Sequence, residues 1–108
     1  MQVVNLETRR ANRTSVFRFE IAKEQAEGLG LAGKKLQESI DRYNDAVRSG
    51  EERANDEALL LDVAARAWAL IVQRELIGFV HENQKWVAEN FAIPRAALRL
   101  MGRAHRAR

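Results

Sequence analysis

The sequence predicts an all-α protein. It should be a helical bundle of three to four helices, built on a long antiparallel helix hairpin and completed by dimerisation. Three observations carry this. Apolar and small residues recur at alternating spacings of three and four from Phe19 to Val47, the signature of a helix seam. A second segment, Ala58 to Val72, is apolar at 13 of 15 positions, so a helix there must be covered on most sides. No stretch alternates with the period of two that a half-buried strand shows.

Residues 1–13 have no apolar period and are expected to form a basic arm, loose unless it docks. Thr14 or Ser15 can cap a first helix over about 15–49. Its seam is Phe19, Ala22, Ala26, Leu29, Gly33, Leu36, Ile40, Tyr43 and Val47. The small residues among these allow another helix to approach closely. Gly28 and Gly30 each weaken the helix by about 1 kcal/mol relative to alanine, and a break there is the alternative. Gly50 suits a stop after Ser49. Asn55 or Asp56 can cap a second helix running from about 56 to 80, with Asp62 and Arg66 spaced to pair. Gly78 or the polar stretch His81–Gln84 can kink or end it. Pro94 suits the first turn of a last helix over about 94–102, closed by Gly102. The single domain then covers 14–102, with a basic tail at 103–108.

Dimerisation follows from size. A helix of about 35 residues is ~50 Å long, whereas a compact chain of this length has a radius of gyration near ~13 Å. One such chain has too little material to cover both the long seam and the apolar second helix. The seam of core or dimer contact is assigned to Leu29, Leu36, Ile40, Tyr43, Leu60 and Trp68. Trp68 and Trp86 are read as packing residues rather than a ligand cage.

Composition narrows the function. With 46 % apolar and 31 % charged residues, the chain is not of the disordered class. It has no cysteine, which excludes disulfides, thiolate metal sites and a cysteine nucleophile, and fits a reducing compartment. The polar N-terminal residues contain no apolar signal core, and Ala58–Val72 is too short to span a bilayer. The expected setting is cytoplasmic, with no membrane partner. The net charge of +3 is uneven. Arg9, Arg10, Arg13 and Arg18 near one end and Arg95, Arg99, Arg103, Arg106 and Arg108 near the other flank an acidic middle. Basic ends point to an anionic partner or to the acidic body of the protein itself.

Chemical motifs are few. Gly28-Leu-Gly-Leu-Ala-Gly33-Lys34 matches a dinucleotide-binding string and nearly matches a phosphate loop, but both need a strand before the glycines and the second needs Ser or Thr where Lys35 stands. His81 and His105 are too far apart to make a metal pair. Ser15, Ser39 and Ser49 sit near termini or on polar faces, with no histidine close in sequence. No catalytic residue and no cofactor are therefore assigned.

The segment 84–103 resembles a helix-turn-helix unit. Val87 and Ala88 lie in its first helix, Phe91 and Ile93 flank the turn, and Leu98 and Met101 would anchor the second helix to the first. Arg95 and Arg99 would face outward as recognition residues, with Arg103 and Arg106 available for phosphates. The turn has Ala92 where such motifs usually have glycine. Two wider resemblances exist. Val72-Gln-Arg-Glu75, with Ile93-Pro94 and Met101-Gly102, is similar to a small helical family of unknown function from alphaproteobacteria, which implies an all-helical fold and supplies no activity. A heptad helix followed by Ala58-Leu-Leu and Ala67-Trp68 is similar to small flagellin-synthesis regulators, and transfers no residue role. The reading is a small non-catalytic structural or regulatory interaction module, partnered by a second copy or another protein. The alternative is a DNA-binding regulator acting through 84–103.

Overall fold

A computed structural model describes the backbone of residues 2–50 and 57–106 and the side chains of 15–50 and 57–101. Four helices follow one another: α1 (Gln2–Arg48), α2 (Glu57–Leu76), α3 (Asn83–Asn90) and α4 (Arg95–Arg106). No strand occurs among the described residues. The all-α bundle built on a long helix hairpin is as the sequence predicts.

The hairpin is antiparallel. Arg42 on α1 pairs with Asp62 on α2 at 2.8 Å. Further along, Gly28 faces Gln73, whose Nε2 lies 2.9 Å from where a Cβ would stand. Between these points Leu36, Ser39 and Ile40 are buried beside Val63, Ala64, Ala67, Leu70 and Ile71. Ala64 and Ala67 let the helices come close, and the larger side chains fill the seam. Burying each Leu or Ile contributes roughly 1.5–3 kcal/mol. The hydroxyl of Ser39 donates to the Leu36 carbonyl at 2.7 Å, which satisfies it inside this interface. Its burial corrects the expectation that it lies on a polar face. The small side chain is what the close crossing requires.

α2 is the hub. Among the described residues α1, α3 and α4 each pack on it, and no other pair of helices packs together. This is where a nearly all-apolar helix belongs. Of the assigned seam, Leu36 and Ile40 are fully buried, while Leu29, Tyr43, Leu60 and Trp68 are partly buried against the same core.

Three boundaries differ from expectation. α1 does not start at Thr14 but runs from Gln2. Residues 2–13 hold no glycine or proline, and extending an existing helix adds one hydrogen bond for each residue fixed. The lack of an apolar period there is therefore not a break in the helix. The continuity of α1 through Gly28 and Gly30 is as expected, and the alternative break does not occur. α2 stops at Leu76 rather than near 80. Gly78, at φ 105, ends it: the Phe79 N–H donates to the Arg74 carbonyl at 2.9 Å and the Gly78 N–H to Glu75 at 3.1 Å, the Schellman pattern. α4 continues past Gly102 to Arg106, since a glycine weakens a helix without obliging it to stop. Gly50, at φ 70, does close α1. The expected caps at Asn55 and Asp56 lie outside the described residues.

At 1.5 Å per residue α1 is about 70 Å long and α2 about 30 Å. The long axis of the molecule is 74 Å and its radius of gyration 19.9 Å. The seam is accordingly covered only along part of α1. Phe19, Ala22 and Ala26 are exposed, and at the other end Val47 is exposed while Ala46 is buried.

Two stability changes follow. Leu70→Ala, which empties a fully buried site, should cost 2–5 kcal/mol, on the order of other core truncations. Gly30→Ala should instead stabilise by about 0.5–1 kcal/mol, because an added Cβ meets nothing within 4 Å. Urea denaturation followed by circular dichroism reads both; a destabilised Gly30→Ala would mean that α1 is bent or crowded there.

Candidate interaction surfaces

Arg74 fixes the far end of the hub. It is one of the three buried polar residues among those described, at 9 % exposure. Its guanidinium lies 3.6 Å from the centre of the Trp86 ring and 4.5 Å from that of Phe79. Its Nε–H donates to Oδ1 of Asn83 at 2.9 Å. The Asn83 amide in turn donates to the Phe79 carbonyl. One side chain on α2 thus holds the loop after α2 and the first turn of α3. Two aromatic faces stabilise its charge, each by about 0.5–2 kcal/mol. Among the described residues no carboxylate pairs with it. Glu82, at φ 54, starts α3 in the left-handed region without a side-chain cap. Trp86 also meets Phe91 edge to face, with ring centroids 6.3 Å apart. Phe91 reaches across to Gly33 of α1, where an added Cβ would lie 3.6 Å from its ring.

This arrangement leaves a cleft of about 500 Å³ between the second half of α2 and the start of α3. Trp68, Ile71 and Val80 supply apolar lining, with Glu75 and Glu82 as its acids. Lys85 also lines it, 4.0 Å from Glu89. Beside the cleft runs an uncovered strip of α2. Leu61, Ala65, Ala69, Val72 and Leu76 are all exposed and follow spacings of four, four, three and four, so they share one face. Leu76 is 72 % exposed.

The third surface is the overhang of α1. Every residue from Ser15 to Glu27 is exposed. Among them are Val16, Phe17 at 62 %, Phe19 at 70 % and Ile21. A lone exposed leucine is ordinary; a run of aromatic and branched residues on an uncovered helix marks a contact surface.

A family model whose members have no known function, DUF6665, matches residues 2–108. The chain belongs to this family. No curated protein and no solved structure matches it. Membership of DUF6665 therefore brings no activity with it, and the surfaces must speak for themselves.

The helix-turn-helix segment of this DUF6665 chain departs from that motif in its packing. α3 and α4 sit on α2 and not on each other. Leu98 and Met101 do face the core, but α2 rather than α3 is the platform of α4. The turn explains this. Phe91 is extended at φ −130 and ψ 138, and Pro94 disfavours the helical region for Ile93, so the two helices are spread apart. The Pro94 carbonyl accepts from Ala97 and Leu98, at 3.0 and 3.1 Å, and starts α4. Arg95 and Arg99 are exposed on α4 as expected. Arg103 and Arg106 lie on the same helix, and their side chains fall outside those described.

The glycine string sits inside α1, without the strand-to-helix turn that phosphate binding needs. Among the described residues no three His, Asp or Glu side chains gather to hold a metal ion. His81 is exposed, and His105 lies outside the described side chains. No described helix is long and apolar enough to cross a membrane.

The Arg74 node was not legible as a site in the sequence. Its signal is Gly78-Phe79, a glycine stop followed by an aromatic, with Trp86 one element later. Arg74→Ala should destabilise by roughly 2–4 kcal/mol, since it removes the cation–π contacts and the bond to Asn83. Arg74→Lys should recover less than half of that, because an ammonium lacks the planar face and fixed fork. Full recovery by lysine in thermal unfolding would show that charge alone matters at this position.

Proposed function

We propose that the protein is a non-catalytic interaction module, structural or regulatory, that binds protein through the uncovered parts of its two frame helices, with a second copy of itself as the partner. The observation that carries this reading is the overhang of α1, fully exposed from Ser15 to Glu27 and rich in apolar side chains. The exposed strip of α2 supports it, since a largely apolar helix gains from further cover. The cytoplasm is its setting in this reading, supported by the absence of cysteine. Sedimentation equilibrium at micromolar concentration should give twice the 12.3 kDa of one chain. The pair Val72→Ser and Leu76→Ser should weaken association by tenfold or more while helix content stays unchanged, as for anchors at the centre of an interface. A monomer at every concentration would sink the reading.

A second reading, DNA binding, rests on α4. Arg95, Arg99, Arg103 and Arg106 take helix positions within one side, and no acid follows Glu89 in the chain. Anisotropy of a labelled random duplex distinguishes the two. Affinity that falls steeply with salt, and falls again in Arg95→Ala with Arg99→Ala, would indicate phosphate neutralisation. No binding at low salt would leave the arginines as a solvated face.

A further inference from the structure

The overhang of α1 and the Trp68 cleft lie at the same end of the molecule. The antiparallel hairpin sets this: Arg42 is level with Asp62, and Gly28 with Gln73. The second half of α2 therefore stands where α1 leaves the bundle. The overhang cannot fold back into its own cleft. α1 is one unbroken helix, and Phe17 lies eleven residues, about 16 Å, beyond Gly28. Each chain thus exposes an apolar projection and an apolar cleft side by side, and neither can fill the other within that chain.

Resting on the reading of a self-associating module, we propose that the cleft is the seat of the overhang of a second copy. Phe17 and Ile21 of one chain fill the apolar floor made by Trp68, Ile71 and Val80 of the other, and Arg18 meets Glu75 and Glu82. Phe17 and Ile21 are four apart and share one face of the helix. Both are exposed, and so is Arg18. Charge fits this occupant only at the contact itself: Arg18 stands beside Phe17, and the residues before it carry Arg9, Arg10 and Arg13 against the single acid Glu7, while the acids of the overhang, Glu20, Glu24 and Glu27, all follow Arg18. The cleft offers two acids, and its one base, Lys85, already faces Glu89. Symmetry selects it too. With projection and cleft at the same end, a two-fold axis across the paired overhangs fills both clefts at once, the self-complementary interface that closed dimers use. Ala22 and Ala26, exposed on the overhang, let two such helices cross closely.

The native chain has no cysteine, so single cysteines report the contact directly. Arg18→Cys mixed with Glu82→Cys should give a disulfide-linked dimer under mild oxidation. Arg18→Cys mixed with Leu61→Cys, placed toward the opposite end of α2, should not. Phe17→Ser should weaken the dimer tenfold or more with no change in helix content. Arg18→Glu should weaken it about two- to fivefold, and combining it with Glu75→Lys and Glu82→Lys should restore it. A wild-type dimer that survives Phe17→Ser and gives no Arg18–Glu82 cross-link overturns this seat and leaves the interaction module standing. A monomeric wild type overturns both.

Discussion

A helix buries side chains only along the length over which another helix runs beside it. α2 supplies 20 residues against the 47 of α1, so less than half of the long helix can be covered by its own partner. The remaining features follow from that inequality. The core gathers where the two helices overlap, from Leu29 to Ala46 on α1. α3 and α4 take up part of the free surface of α2 and leave the strip from Leu61 to Leu76 open. The exposed aromatic residues of α1 lie on the length that α2 does not reach.

Within the overlap, charged pairs do little of the work. Arg42–Asp62 and Arg66–Asp62 lie on the exposed edge of the interface, where such pairs contribute at most about 1 kcal/mol. Register is set instead by shape. Ser39, Ala64 and Ala67 permit contact where Leu36, Ile40, Val63 and Leu70 fill. The other organising contact, Arg74 between Trp86 and Phe79, combines a cation with two aromatic faces and one amide. It fastens α3 to the end of α2 although α3 itself is only eight residues long. A helix that short has little stability of its own.

Fold class was legible in the sequence because periodicity reports on backbone geometry. The periodicity places Leu36 and Ile40, which are buried, and Tyr43, which is half-buried, and the apolar run of α2 places that helix among the others, although its strip from Leu61 to Leu76 stays uncovered. Period alone does not tell how far a partner extends, so Phe19, Ala22 and Ala26 look identical to Leu36 in the pattern and differ completely in burial. The beginning of α1 was missed for a related reason: residues 2–13 lack an apolar period and yet contain nothing that stops a helix. At the candidate site, Trp68 was recognised as a packing residue, but the cleft beside it was not, because it depends on how the loop after Gly78 returns α3 toward α2. The helix-turn-helix resemblance captured the inward residues Phe91, Ile93, Leu98 and Met101. It misjudged what α4 rests on, since sequence spacing does not say which third helix stands between two others.

The continuity of α1 through Gly28 and Gly30 turns the helix into a ruler with a fixed phase. Each residue advances it by 1.5 Å and turns it by about 100°. A single insertion between Phe17 and Gly28 would carry Phe17 about a quarter of the way round the axis. Three or four residues would nearly restore its direction but displace it by about 5 Å. The length of this stretch therefore fixes where Phe17 and Ile21 stand and which way they point, independently of which side chains fill the positions between them and the bundle.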